Sequence, residues 1–388
     1  MTYNFDVVLP RENTNSVKFD FRKQYFGRDD VIPMWVADMD FPVPPFVSDA
    51  LRMRAEHPIY GYSIIPDSYN EAVMDWLKRR NTWEIKQEWI LFSPGVVTGL
   101  NVIVQAMTEP GDKIIVQPPV YFPFFTCVEK NGRELLYNQL VEKNGVYTID
   151  FDDLENKMKD GARMLILCNP HNPVSRCWTQ AEFEWLGAKC LEHKVLVVSD
   201  EIHGDLVFEP HRHIPLATLS EEIAQNTITC IAPSKTFNLA GLFTSSIIIP
   251  NDSLRRKFKV AEERVHLSAN IFGVTAAEAA YRYGEEWLRQ LMNYLKSNIM
   301  LVKDFLAVKM PEISVSPAEA TYMLWLDFRK LGIASAELKK LLIEKAGLGF
   351  VEGPTFGPGG EGFQRMNIAC PRATIEMALE RIPLILNH

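Results

Sequence analysis

Several features are absent from this 388-residue sequence, and each absence argues against a class of function. No apolar run reaches the roughly eighteen residues of a transmembrane helix, and the N-terminus lacks the basic start and apolar stretch of a signal peptide. The net charge is −8 and no dense cluster of Lys and Arg occurs, which argues against nucleic acid as the main partner. We therefore expect a cytoplasmic protein that binds neither membrane nor nucleic acid.

The sequence also lacks the motifs of several enzyme classes. The six cysteines show no C-x-x-C and no metal-ligand spacing, so reduced thiols are expected rather than disulfides or a metal site. The two histidines of "HRH" (211–213) have no third ligand nearby. No G-x-S-x-G elbow, G-x-x-x-x-G-K-[ST] loop or G-x-G-x-x-G fingerprint is found. A nicotinamide dehydrogenase is therefore disfavoured.

The middle of the chain alternates short apolar runs with longer amphipathic runs, which predicts an α/β fold with a largely parallel sheet. The predicted strands lie at 89–93, 113–117, 163–168, 195–200, 227–232 and 244–250. A single long helical pattern covers about 275–310, and a second α+β unit follows it. We expect an N-terminal arm at 1–45 that joins the small domain, a large domain at 46–285 and a small domain at 286–388.

Five of the predicted strands end in turns or helix starts, and four of these ends carry polar or aromatic residues, while the strand at 89–93 runs into "PGVV". In open α/β sheets, ligands bind beyond the carboxyl ends of the strands, so these residues should share one crevice. They are Tyr121, Asn172, Asp200, His203, Ser234 and Lys235. Taken singly, each has an ordinary alternative: Asp200 as a helix cap, the Asn172 segment as a turn, and Lys235 as a solvated turn residue. Taken together, these residues favour a ligand-binding site.

A pyridoxal phosphate site explains this set of residues more completely than the alternatives do. Such a site needs a lysine for a Schiff base and an acidic residue that partners the pyridinium nitrogen. It also needs an aromatic side chain against the ring and a helix N-terminus for the phosphate. The sequence supplies each of these residue types at a strand end.

With these residues in place, the sequence resembles the fold-type I pyridoxal-phosphate enzymes of the class I/II aminotransferases, and among them the MalY/PatB-type cystathionine β-lyases. The resemblance covers nearly the whole chain. It rests on "MWVADMDFPVPP" (34–45), "YGY" (60–62), "PGVV" (94–97), "PPVYFPF" (118–124), "NPHNPVSR" (169–176), "SDEIHGDL" (199–206), "HIPLATLS" (213–220), "SKTFNLAGL" (234–242) and "RMNIACPR" (365–372). It implies a large domain with a mostly parallel seven-stranded sheet, a smaller α+β domain, and a homodimer with sites at the subunit interface.

The resemblance also implies a role for each site residue. Lys235 would form the Schiff base and carry the Cα proton, Asp200 would pair with the pyridine nitrogen, and Tyr121 would stack on the ring. The implied cofactor-binding set is Gly95, Val96, Val97, Tyr121, Asn172, Asp200, His203, Ser234, Lys235 and, from the neighbouring subunit, Tyr62, with Tyr60 as its alternative. The implied substrate-binding set is Val36, Ala37, Asn172 and Arg365, the last as the clamp for the α-carboxylate.

Two positions depart from the general aminotransferase pattern and agree with the β-lyase branch. His203 stands where many transaminases have a tyrosine, and Phe243 stands where many have a phosphate-binding arginine. The resemblance thus implies β-elimination of cystathionine or a cysteine S-conjugate to a thiol, pyruvate and ammonia. The alternatives are an aminotransferase with a 2-oxo acid acceptor, which shares the early steps, and a binding protein without turnover.

Overall fold

A seven-stranded sheet lies at the centre of the protein, for which a computed structural model describes residues 2–386. Its strands are β1 (Ile90–Ser93), β2 (Lys113–Val116), β3 (Glu134–Tyr137), β4 (Ala162–Cys168), β5 (Leu196–Asp200), β6 (Thr227–Ile231) and β7 (Ser245–Ile248). The spatial order is β1-β7-β6-β5-β4-β2-β3. β7 runs antiparallel to both neighbours, and the remaining pairs are parallel. The prediction of a mostly parallel α/β sheet is confirmed.

Helices cover both faces of this sheet, which explains why its central strands are apolar on both sides. Ile166 and Val198 belong to an apolar cluster on one face, and Leu165 and Val197 belong to a different cluster on the other. The helices of this part of the chain are Pro45–Glu56, Asp67–Asn81, Val96–Met107, Pro123–Glu129, Phe151–Lys159, Gln180–Glu192, Glu221–Gln225, Pro233–Thr236, Asp252–Arg264 and Ile271–Tyr283. Thr179 and Glu182, whose spacing in the sequence indicates a capping box, form one at the start of Gln180–Glu192.

A second, antiparallel sheet lies towards the C-terminus. Its strands are β8 (Ser314–Val315), β9 (Met323–Asp327), β10 (Val351–Glu352) and β11 (Phe363–Asn367), in the order β8-β9-β11-β10. The helices Glu285–Lys309, Ser335–Glu344 and Arg372–Arg381 accompany it. The sequence predicted this α+β unit, and "TYMLWLDF" and "FQRMNIAC" contain β9 and β11.

The N-terminal segment lies against this C-terminal unit. Its short helices Val17–Asp20 and Arg22–Phe26 precede the two-residue strand Ile32–Pro33, which pairs in parallel with Leu348–Gly349. Farther along, the N–H of Asp40 donates to the carbonyl of Ala369. These contacts support the arm as part of the small domain, while the domain boundaries at 45 and 285 stay predictions.

The prediction of a single long helix over 275–310 is wrong, because this segment is divided into two helices. The structure has two helices, Ile271–Tyr283 and Glu285–Lys309, which meet at Gly284. A Cβ at Gly284 would lie 2.3 Å from the Phe237 ring and 2.3 Å from the Ala280 carbonyl oxygen. This contact with a distant residue requires a glycine at the junction, and the apolar periodicity on either side does not reveal it.

Shorter elements complete the chain. The hairpin strands are Val141–Lys143 and Val146–Thr148, and the 3-10 turns are Gln87–Trp89, Leu216–Thr218, Ala240–Leu242, Arg329–Leu331, Gly353–Phe356 and Ile382–Leu386. The glycine-rich stretch 352–362 contains one of these turns, Gly353–Phe356. Among the helices of residues 2–386, none combines the length and apolarity needed to cross a membrane.

Candidate active site

The carboxyl ends of the central strands border one cavity of about 260 Å³. The cavity brings together most of the residues that the sequence singled out. Those that line it are Ala37, Gly95, Val96, Val97, Tyr121, Asn172, Asp200, His203, Ser234 and Lys235. The expectation that residues from separate strand ends lie around one crevice is therefore confirmed.

Lys235 lies on the four-residue helix Pro233–Thr236, directly after β6. Its Nζ donates a hydrogen bond to the Ala37 carbonyl oxygen over 2.7 Å. Burial of the amine, with a smaller contribution from the nearby Arg365 guanidinium, lowers the pKa of Lys235 to about 8. Near neutral pH, a useful fraction of this amine is therefore unprotonated and able to act as a nucleophile or a base.

Asp200 ends β5 and is only 4% exposed. Burial raises the pKa of its carboxyl to about 7, while the N–H that Ile202 donates to Oδ1 over 3.1 Å and the charge of Lys235 act in the opposite direction. Among the described residues, the cation that acts on Asp200 is the Lys235 amine, which does not form an ion pair with it. A buried carboxylate of this kind is stabilised when a cationic ligand group comes beside it.

Arg365 in β11 is buried without a carboxylate partner among the described residues. Its Nη1 donates to Oδ1 of Asn172 over 3.1 Å, and its Nη2 donates to the carbonyl of Trp35 over 2.9 Å. The Nε is buried and has no hydrogen-bond partner, and the guanidinium lies 4.9 Å from the Phe356 ring centre. Burial lowers the pKa of Arg365 to about 10. This site favours an incoming carboxylate.

The N-terminus of the helix Val96–Met107 points its free N–H groups towards the same cavity, since the first turn of a helix has no internal partners for them. Gly95 precedes the helix and Ser93 donates its hydroxyl to the Gly95 carbonyl over 3.0 Å. Ser234 lies on the cavity wall beside this turn. The arrangement is suited to an anion such as a phosphate.

Tyr121 and His203 are two of the aromatic side chains that line the cavity. Burial raises the pKa of Tyr121 and lowers that of His203 to about 3, so both are neutral near pH 7. The Nδ1 of His203 is buried and has no hydrogen-bond partner. The imidazole lies edge-on to Tyr322, with ring centres 6.2 Å apart.

Three predicted residues do not line the cavity. Arg365 contacts it through Asn172, and Val36 lies behind it, with its carbonyl accepting a hydrogen bond from Nδ2 of Asn367 over 2.6 Å. Tyr62 is fully exposed on this subunit. The role of Tyr62 in a neighbouring site stays a prediction.

Several residues that line the cavity were not predicted from the sequence. Pro94, Thr98, Cys168, Ile202, Ala240 and Thr244 also line it. Thr98 and Ile202 adjoin motifs that were recognised, so proximity in sequence was a usable signal. Tyr322 is different: its hydroxyl donates to the Ala37 carbonyl over 3.0 Å, although the two residues are far apart in the chain. Nothing in "TYMLWLDF" indicates that contact.

Comparison with known proteins identifies the family. The model of the class I and II aminotransferases matches residues 29–382. Cystathionine beta-lyase PatB of Bacillus subtilis (strain 168) is 47% identical, covering 99% of this chain and 100% of its own. Protein MalY of Escherichia coli (strain K12) is 31% identical over 96% of each chain. A solved PLP-bound C-S lyase from Staphylococcus hominis is 35% identical and superposes with a TM-score of 0.93, covering 100% of this chain and 99% of that one. The chain therefore belongs to the class I and II aminotransferases, in the MalY/PatB group of carbon–sulfur lyases.

Proposed function

We propose that this protein is a pyridoxal-phosphate-dependent carbon–sulfur β-lyase that converts cystathionine or a related cysteine S-conjugate to a thiol, pyruvate and ammonia. The full-length identity of 47% to cystathionine beta-lyase PatB carries the proposal. The buried amine, carboxylate and guanidinium around one cavity support it, because together they match the groups of the proposed cofactor and substrate.

The groups present fit pyridoxal phosphate. Lys235 offers an amine of lowered pKa, and Asp200 offers a buried carboxylate without an ion-pair partner among the described residues. The helix start at Val96 and the hydroxyl of Ser234 are placed to hold a phosphate. Tyr121 and Asn172 would contact the ring. When bound, the cofactor supplies an electron sink for the negative charge that develops at the substrate Cα.

The phosphate end of the cavity has no arginine at position 243. Phe243 lines this end, has a left-handed backbone (φ 47°) and is 63% exposed. The hydroxyls of Thr98 and Thr244 lie on the same wall. We infer that hydroxyl groups and helix N–H groups hold the phosphate in this subunit.

Different side chains of the protein bind the substrate and transfer its proton. Arg365 binds the substrate α-carboxylate through its unpartnered Nε and orients the Cα–H bond. Nζ of Lys235 takes the Cα proton, which requires the neutral amine that burial favours. The bond from Cβ to sulfur breaks with its electron pair on sulfur, and the thiolate leaves as the thiol after taking the proton that Lys235 removed. Water then hydrolyses the released enamine to pyruvate and ammonia. His203 stays neutral and adds no charge next to Asp200.

One assay separates this proposal from the aminotransferase alternative. The purified holoenzyme is mixed with cystathionine without any 2-oxo acid. We expect pyruvate and thiol to appear together and in equal amounts, because β-elimination needs no acceptor. Product that forms only after a 2-oxo acid is added would contradict the lyase and favour a transaminase.

We further propose a cytoplasmic homodimer in which Tyr62 reaches the phosphate site of the partner subunit. The segment that carries Tyr62 exposes several large apolar side chains, namely Ile59, Tyr60, Tyr62 and Ile64. Such a patch favours burial against another surface. Tyr60 also packs against Phe272, with ring centres 5.6 Å apart.

A further inference from the structure

Residues 36–41 form a segment that we call the substrate loop. It is held by two side chains that come shortly after Lys235 and Arg365 in the sequence. Asn238, three residues after Lys235, accepts the Met39 N–H and donates to the carbonyls of Met39 and Phe41, each over 3.0 Å. Asn367, two residues after Arg365, donates to the carbonyls of Val36 and Asp38 over 2.6 Å. The loop backbone is thus fixed relative to both cations.

The Ala37 carbonyl of this loop faces the amine of Lys235. It accepts one hydrogen bond from Lys235 Nζ over 2.7 Å and a second from the Tyr322 hydroxyl over 3.0 Å. A carbonyl oxygen has two lone pairs, so both are used. The position of this one oxygen therefore decides where the free amine lies.

Four charged groups form a cluster at the loop, and two of them, Asp38 and Asp40, belong to the loop itself. Arg11 donates to Asp38 over 2.7 Å and to Asp40 over 2.6 Å. Lys18 donates to Asp40 over 2.9 Å and lies 3.7 Å from Asp38. Lys18 is only 1% exposed, and its ion pair with Asp40 compensates for the burial of the charge. Two positive and two negative charges cancel, so this cluster is neutral as a whole.

We propose that Lys18 is a positioning residue for Lys235, because through Asp38 and Asp40 it fixes the substrate loop and balances the charge next to the cofactor lysine. Lys18 touches neither the cofactor nor the substrate. The inference rests on the proposed function only in taking Lys235 as the lysine that bonds the cofactor.

The sign of the electrostatic effect follows from the groups that face Lys235. Asp38 and Asp200 favour a proton on its nitrogen, and Arg365 disfavours it. His203, Tyr121 and Tyr322 are neutral near pH 7. Removing the charge of Lys18 leaves the four-charge cluster net negative, whereas removing the charge of Asp38 leaves it net positive. The two changes should move the proton affinity of the Lys235 nitrogen in opposite directions.

The test is a pH titration of the visible absorbance of the holoenzyme, which reports protonation of the Schiff-base nitrogen on Lys235. We expect Lys18→Met to raise the midpoint by roughly half to one pH unit and Asp38→Asn to lower it by a similar amount. Lys18→Arg restores the charge and should return the midpoint to that of the wild type. Because only protein that holds the cofactor contributes to this band, partial unfolding does not imitate the shift.

The matched control is Lys113→Met, which breaks the pair between Lys113 and Asp160 (2.7 Å) at a distant surface. It should leave the midpoint unchanged. The proposal is overturned if Lys18→Met and Asp38→Asn both leave the midpoint in place or shift it in the same direction. Should Lys18→Met fail to accumulate, Asp38→Asn alone decides, since an unmoved or raised midpoint overturns the proposal. A visible band that persists in the Lys235→Ala variant would contradict the proposed function instead, so the two failures are distinguishable.

Discussion

At the residue scale, burial explains why Lys235 and Asp200 suit their proposed roles. The same removal from water that lowers the pKa of the amine to about 8 raises that of the carboxyl to about 7. The sequence predicted both residues because each follows an apolar strand. It did not predict the contacts that Ala37 and Tyr322 make, because these depend on segments that are distant in the chain.

The substitution Asp200→Asn tests the charge of this carboxylate. The amide keeps the shape but loses the charge that would hold a proton on the ring nitrogen, so we expect kcat to fall by roughly 10²–10³ with the visible band retained. Steady-state kinetics with cystathionine measures the effect. Asp160→Asn, at an exposed position, is the control, and a kcat within twofold of the wild type for Asp200→Asn would rule out this role.

The pKa of Asp200 also predicts how stability depends on pH in the cofactor-free protein. A pKa raised to about 7 means that the native state binds the proton more tightly than the unfolded chain. The stabilising contribution, at most about 4 kcal/mol, is complete below about pH 4 and is lost as the pH rises through about 7. Urea unfolding should therefore show wild type gaining stability relative to Asp200→Asn between pH 7 and pH 5. A difference that stays constant or grows with rising pH would refute this reading.

At the element scale, the sequence predicted local features well and packing against distant residues poorly. Apolar runs located the central strands to within one or two residues, and the Thr179 capping box marked a helix start that the structure contains. The need for glycine at position 284 escaped prediction because it comes from contact with the Phe237 ring, which is distant in the chain. Apolar periodicity reports which face of a helix is buried, but not which side chain from elsewhere packs against it.

Gly284→Ala tests whether the contact with Phe237 requires a glycine at position 284. The added methyl group would lie 2.3 Å from both the Phe237 ring and the Ala280 carbonyl oxygen. Overpacking of this kind should lower the free energy of unfolding by about 1–3 kcal/mol, as measured by denaturant titration. Gly241→Ala is the control because nothing lies within 4 Å of its Cβ position. Equal stability of the two variants would show that the contact with Phe237 does not impose the glycine.

At the scale of the whole molecule, the N-terminal arm, the substrate loop and the small sheet meet beside the cavity. Ile32–Pro33 pairs with Leu348–Gly349, and the Met34 carbonyl accepts the Asn367 N–H over 2.9 Å. Composition and periodicity indicate an arm and a second α+β unit. They give no register between the two, because such pairing is specified only by the assembled surfaces.

The homodimer is tested at this scale by Tyr62→Phe. If the hydroxyl of Tyr62 donates to the phosphate in the partner subunit, its loss should weaken cofactor binding by roughly 10–100-fold, the value of a hydrogen bond to a charged group. Fluorescence titration of cofactor-free protein with pyridoxal phosphate measures this, alongside light scattering for the mass in solution. Tyr137→Phe, at another exposed tyrosine, serves as the control. A monomer in solution, or unchanged affinity in Tyr62→Phe, would contradict the shared site.

The most direct test of the central claim locates the cofactor on the chain. The holoenzyme is treated with borohydride, which reduces a Schiff base to a stable amine, and the digested protein is examined by peptide mass spectrometry. We predict that the reduced cofactor is attached to Lys235, which lines the cavity with Asp200 and Asn172. Attachment to any other lysine, or no attachment to protein that is saturated with cofactor, would contradict the account.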